Sequence, residues 1–213
     1  MFFAKFNKSC LITYLGVIFG VLAIYTSLQN MACNVNKTLS YPLIFLILSG
    51  ICDMFDGKFA RACKRTDEEK AFGIQLDSLA DTFCFLAVPI VFMLSLDMTE
   101  WYYVIVYVLF VLCGVSRLGY FNINADLDVA TKVYQGLPVT STAIIYPVLG
   151  LLSIIVSTDM LRIVYLIVTI LTTILMVVKI RIPKFTNVWY IIMPILAAIL
   201  IVLLMVIQWN IMI

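Results

Sequence analysis

Seven apolar runs, at roughly residues 10–29, 41–60, 74–96, 101–121, 137–157, 160–178 and 188–208, take up most of this 213-residue chain. Each is close to the length of about 20 residues that a helix needs to cross a hydrocarbon core of about 30 Å. Backbone polar groups in lipid must be satisfied within the segment, so runs of this length can only be helices. The chain is 64% hydrophobic and 12% charged, against about a quarter charged in ordinary soluble domains. It therefore reads as an all-α polytopic membrane protein with about seven transmembrane helices (six to eight), forming a single domain over residues 1–213.

Lysine and arginine placement sets the sidedness, because loops on the cytoplasmic side carry the positive excess. With the N-terminus inside, Lys5, Lys8, Lys58, Arg61, Lys64, Arg65, Lys70, Arg117, Lys132, Lys179, Arg181 and Lys184 are cytoplasmic, and only Lys37 and Arg162 face outward. The expected setting is the cytoplasmic (inner) membrane, with the C-terminus outside. Phe2, Phe3 and Phe6 beside Lys5 and Lys8 make either a short interfacial helix or an ordinary basic flank. The first run is too long for a signal-peptide core. A net charge of +2 gives no reason to expect a nucleic-acid partner.

The polar residues inside these runs are concentrated in one place. The chain reads Asp53-Met-Phe-Asp56-Gly57-Lys-Phe-Ala60-Arg61, then eleven residues, then Gly73-Ile-Gln-Leu-Asp77-Ser-Leu-Ala-Asp81. At about 100° per residue, positions 53, 56, 57, 60 and 61 share one sector of a helix, and 73, 77 and 81 share another. Two helices thus present carboxylates to each other. An ionisable group in a transmembrane helix costs about 2.5–3.5 kcal/mol, so four aspartates demand compensation. Arg61 and Lys58 are too few, and hard oxygen ligands without imidazole or thiolate favour Mg2+ or Mn2+. Two divalent cations fit the charge. The chain contains no histidine, which leaves acid and base chemistry to carboxylates. The six cysteines form no C-x2-C pair and fall mostly within apolar runs, where they behave as small hydrophobes.

The eight specified residues resemble the signature of the CDP-alcohol phosphotransferase family, D-x2-D-G-x2-A-R-x(8 to 11)-G-x3-D-x3-D, and every position is met. At roughly one in twenty per position, such a match arises by chance with a probability on the order of 10^-10 per start point. The resemblance implies a helical core of that family and an enzyme that moves a phosphatidyl group from a CDP-linked lipid to an alcohol, releasing CMP. It implies Asp53, Asp56 and Asp77 as metal ligands, and Asp81 as a ligand that also serves as general base. It also implies Gly57, Ala60, Arg61 and Gly73 as a nucleotide and phosphate surface: the glycines admit a close approach, and the arginine fork suits a phosphate oxygen. Thr13 stands where a family hydroxyl meets the nucleotide. The family further implies a homodimer. The Gly16-x3-Gly20 pair serves either such a dimer or packing within the chain. A divalent-cation transporter is the rival from another class. It has no need of Gly57, Ala60, Arg61 and Gly73, and the motif occurs once, without an inverted copy.

Three further segments, 113–122, 136–138 and 175–185, are similar to the bacterial and archaeal members of the family that use serine. The expected substrates are CDP-diacylglycerol, drawn from the bilayer, and L-serine, giving phosphatidylserine and CMP. Arg117 is either the cation for the serine carboxylate or a snorkelling interfacial arginine, with Asn122 beside it in the acceptor pocket. Lys179 and Arg181 are either acceptor contacts or positive-inside anchors. Gly136-Leu137-Pro138 also reads as a turn into the fifth span. A sister transferase acting on glycerol 3-phosphate or inositol phosphate is the alternative within the class, since a phosphorylated acceptor calls for more cations.

Overall fold

The computed structural model describes residues 7–33, 39–126, 133–183 and 189–212. A 3-10 turn leads into Leu11–Cys33 (α1), which packs along Ser40–Ala62 (α2). A short connection leads to Asp67–Thr82 (α3), which continues through a π-helical turn, Phe83–Ala87, into Val88–Leu94 (α4). There follow Trp101–Asp126 (α5), Val133–Gln135 (β1), Thr142–Gly150 (α6) between two 3-10 turns, Thr158–Val177 (α7), Arg181–Pro183 (β2) and Trp189–Met212 (α8).

Each of the seven apolar runs corresponds to one helical rod. Five of these are long and apolar enough to cross a membrane: Lys8–Ala32, Asp67–Leu94, Trp101–Ile123, Thr158–Val177 and Trp189–Trp209. Helix α2 has comparable length, 23 residues, and carries the first half of the aspartate motif. The fifth rod, Val139–Ile154, is apolar but shorter. Leu15, Ile18, Leu112, Ile167 and Val202 are exposed on the outside of the bundle, as lipid-facing side chains must be. The phenylalanine-rich N-terminal flank lies outside the described residues.

Small residues and proline set the contacts that shape the site. A Cβ on Gly16 would meet the Cβ of Cys52 at 3.3 Å, and one on Gly20 would meet the Phe83 ring at 2.9 Å. The Gly16-x3-Gly20 face is thus filled by α2 and the π turn of this same chain. Pro89 has no N–H, so the Phe85 carbonyl four residues earlier loses its helical donor. The buried Thr142 hydroxyl supplies one at 3.1 Å, tying the π turn to the start of α6.

The Gly136-Leu137-Pro138 segment is a turn with a defined task. Gly136 takes a left-handed φ of +74°. Its N–H donates to the Ile180 carbonyl at 2.9 Å, and Leu137 N–H donates to the Leu175 carbonyl at 2.9 Å. One of the open carbonyls at the end of α7 is thereby satisfied. Beyond it, β1 and β2 pair antiparallel with Tyr134 opposite Ile182, adding a short ribbon to the helical bundle. At the other end of α7, Arg162 donates to the Leu96 carbonyl at 2.6 Å and pairs with Asp159 and Asp97, pinning the turn that follows α4.

Candidate active site

The register of the two aspartate helices is set at the hinge between them. Thr66 caps α3: its hydroxyl accepts from Glu69 N–H at 3.3 Å, while the Glu69 carboxylate accepts from Thr66 N–H at 2.8 Å. This reciprocal box starts α3 at Asp67 and so fixes which face carries Gly73, Asp77 and Asp81. The Thr66-Asp-Glu-Glu69 spacing of this capping box is visible in the sequence.

The two helices bring Asp53, Asp56 and Asp77 together, with one carboxylate oxygen from each within 4.8 Å of the others. Asp81, one turn further along α3, lies against Asp53. Asp56 and Asp81 are buried, and Asp53 and Asp77 are half-buried. Thr13 on α1 donates to Asp56 Oδ2 at 2.9 Å, which orients that carboxylate. Among the described residues, none of the four forms an ion pair with a lysine or arginine. Lys58 instead lies over the ring of Tyr190 on α8, 5.0 Å from its centroid. Several carboxylates converging without a protein cation make a donor set suited to a hard divalent ion such as Mg2+ or Mn2+.

A cavity of about 190 Å³ opens from this cluster. Its wall comprises the signature residues Asp56, Gly57, Ala60, Arg61, Gly73 and Asp77, with Thr13, Ser9 and Cys10 from the start of α1 and Arg65 from the α2–α3 connection. Deeper, around the cluster, a much smaller void is lined by Ser49, Gly16, Asp53, Asp81 and Cys84. The Ser49 hydroxyl is buried there beside the Cys84 thiol. All the signature positions thus converge on one place.

The residues singled out for the acceptor are distributed differently. On α5, Arg117 stacks its guanidinium over the ring of Phe121 at 4.4 Å. Asn122 accepts from Ser78 on α3 at 2.9 Å, next in sequence to Asp77. Both belong to the helix beside α3, and neither lines the two cavities described. Lys179 is exposed just beyond α7. The Arg181 backbone pairs with Gln135 in the ribbon, and its side chain lies outside the described residues. Sequence reasoning counted Arg65 only as a positive-inside residue and passed over Ser9, Cys10 and Ser49. Ser49 precedes Asp53 by one turn of α2, a spacing visible in the sequence, whereas Ser9, Cys10 and Arg65 enter the site only through the packing of the N-terminal turn and the hinge onto the motif helices.

Residues 6–178 match the family model for CDP-alcohol phosphatidyltransferase, and the chain belongs to that family. Among curated proteins it is similar to the CDP-diacylglycerol–serine O-phosphatidyltransferase of Saccharomyces cerevisiae, 37% identical over 105 residues covering 46% of this chain and 37% of the yeast protein. It is 31% identical to the archaetidylserine synthase of Methanothermobacter thermautotrophicus over 116 residues, 54% of this chain and 48% of that protein. A CDP-diacylglycerol–serine O-phosphatidyltransferase of Methanocaldococcus jannaschii is 31% identical over 176 residues, covering 83% of this chain and 73% of its own length. The matched region spans less than half the length of the first two relatives.

Proposed function

We propose that this protein transfers the phosphatidyl group of CDP-diacylglycerol to the hydroxyl of L-serine, giving phosphatidylserine and CMP. The observation that carries the reading is the convergence of Asp53, Asp56 and Asp77, with Asp81 beside them and no ion pair to a lysine or arginine among the described residues, next to a cavity walled by Gly57, Ala60, Arg61 and Gly73. Serine as the acceptor rests on the names of the three relatives.

In this reading Asp53, Asp56, Asp77 and Asp81 hold two divalent cations, Mg2+ or Mn2+. Such ions, when bound there, would supply positive charge to neutralise the diphosphate during transfer. Arg61 takes a phosphate oxygen, while Gly57, Ala60 and Gly73 leave the nucleotide room. Asp81 takes the proton from the serine hydroxyl. The serine oxygen then bonds to the phosphorus that carries diacylglycerol, the bond from that phosphorus to the bridging oxygen breaks, and CMP departs with that oxygen. Arg117 serves the serine carboxylate from α5, with Asn122 beside it. The basic residues at the motif end of α2 and α3 support a site at the cytoplasmic leaflet, where a water-soluble acceptor would meet a lipid donor entering sideways. α8 packs against α2 and α6, which supports treating the whole chain as one membrane domain.

The test is CMP release by detergent-purified protein with CDP-diacylglycerol and Mn2+, offered L-serine, glycerol 3-phosphate, inositol phosphate or no acceptor. Serine-dependent release with phosphatidylserine formed is the expected result. Release with a phosphorylated acceptor instead would retain the chemistry and replace the acceptor. Folded, metal-binding protein that turns over none of them, and that carries Mn2+ into vesicles, would make it a transporter.

A further inference from the structure

The two signature glycines face one cavity, and each has an arginine lying across it. A Cβ on Gly57 would meet Arg61 Nη1 at 3.7 Å, and a Cβ on Gly73 would meet Arg65 Nη1 at 3.5 Å. Arg61 stands one turn after Gly57 on α2, whereas Arg65 reaches Gly73 from outside α3. Arg61 belongs to the signature; Arg65 does not, and reaches the cavity from the connection between α2 and α3.

Arg65 is half-buried, and among the described residues it makes no ion pair. Two acids close to it in sequence are engaged elsewhere. Asp67 pairs with Lys70 at 2.8 Å, and the Glu69 carboxylate closes the capping box on Thr66. A guanidinium half-withdrawn from water beside an open cavity, without a carboxylate of its own, is a site for an incoming anion.

The anion's identity follows from where Arg65 stands. It shares a wall with Arg61, Gly57 and Gly73, whereas Asp81, the proposed base for the acceptor hydroxyl, lines the smaller pocket that adjoins this cavity at Thr13, Asp56 and Asp77. We propose that Arg65 is the second arm of a two-arginine clamp on the diphosphate of the CDP-lipid. This rests on the nucleotide reading above and adds to it a substrate-binding residue that no signature position marks. The two guanidiniums approach from different elements, α2 and the hinge, so the diphosphate also ties the hinge to α2.

The test uses the full chain in detergent with Mn2+, and measures CDP binding by calorimetry and the KM values for both substrates. Arg65→Gln weakens CDP binding about tenfold to a hundredfold, the range for losing hydrogen bonds to a charged group, and raises KM for CDP-diacylglycerol while KM for serine stays within twofold. Arg65→Lys keeps the charge without the fork and falls between; it also serves if the glutamine variant does not fold. CDP binding unchanged in either folded variant, or a rise confined to the serine KM, overturns the clamp and leaves the proposed function standing. Folded wild-type protein that binds no CDP overturns both.

Discussion

Replacing Asp77 with asparagine separates a metal-binding cluster from a merely polar one, because the two predict opposite shifts in stability with and without metal. Carboxylate oxygens of Asp53, Asp56 and Asp77 lie within 4.8 Å of one another. Each ionised pair at that separation costs about 3.5 kcal/mol at an effective dielectric of about 20. Asp77 takes part in two such pairs, and an isosteric amide removes both while donating a hydrogen bond to Asp56. Water in the adjoining cavity screens part of this. The net gain for the metal-free protein is then about 2 kcal/mol, or about 4–8 °C in Tm for a chain of this size. With Mn2+ at a hundredfold over its Kd the order reverses. The wild-type protein gains about 2.7 kcal/mol from binding, and the variant, short of one ligand, loses most of that. Thermal unfolding in detergent with EDTA and with Mn2+ reads both arms. If Asp77→Asn melts below wild type in EDTA and still shows the full Mn2+ shift, the carboxylates do not form the cation site argued here.

Asp81→Asn is expected to lower CMP release by about a hundredfold or more, the share of a general base, with CDP binding retained in calorimetry; near-normal turnover would remove Asp81 from that role. Arg117→Ala should raise KM for serine about tenfold, the worth of one charge-assisted contact, and leave KM for CDP-diacylglycerol unchanged; an equal effect on both would argue against a carboxylate contact. Gly136→Ala places a Cβ 2.6 Å from the Met176 carbonyl oxygen at a φ of +74°. It should cost about 2–5 kcal/mol from left-handed strain and overpacking together. Gly119→Ala, with no atom within 4 Å of the new methyl, is the control and should be neutral or stabilising. Equal melting of these two variants would remove the structural role assigned to the turn.

The helical rods were legible because lipid imposes a length and a composition on each of them, and these survive without any knowledge of neighbours. The register of the aspartate faces was legible for a similar reason: positions three and four apart share a helix face wherever that helix is placed. Thr13 was legible only through the family resemblance, as a hydroxyl for the nucleotide; its bond to Asp56, 43 positions away, was not foreseen. The π turn after Thr82 was not foreseen either. Its Phe85 carbonyl lies 3.1 Å from the hydroxyl of Thr142 on α6, a contact 57 positions apart that no local pattern records.

Covalent order and local periodicity settled the class: apolar lengths, positive-inside bias and eight residues whose spacing leaves them on facing helix surfaces. Whether Gly16 and Gly20 served a partner or the chain itself, whether Lys58 neutralised the aspartates, and which basic residue beyond Arg61 entered the cavity were all decided by packing. Lys58 turned to Tyr190 on α8, and Arg65 came inward over Gly73 from the hinge. Long cationic side chains reach many places from one backbone position. Their destination is set by contacts among elements far apart in sequence, which no local pattern records.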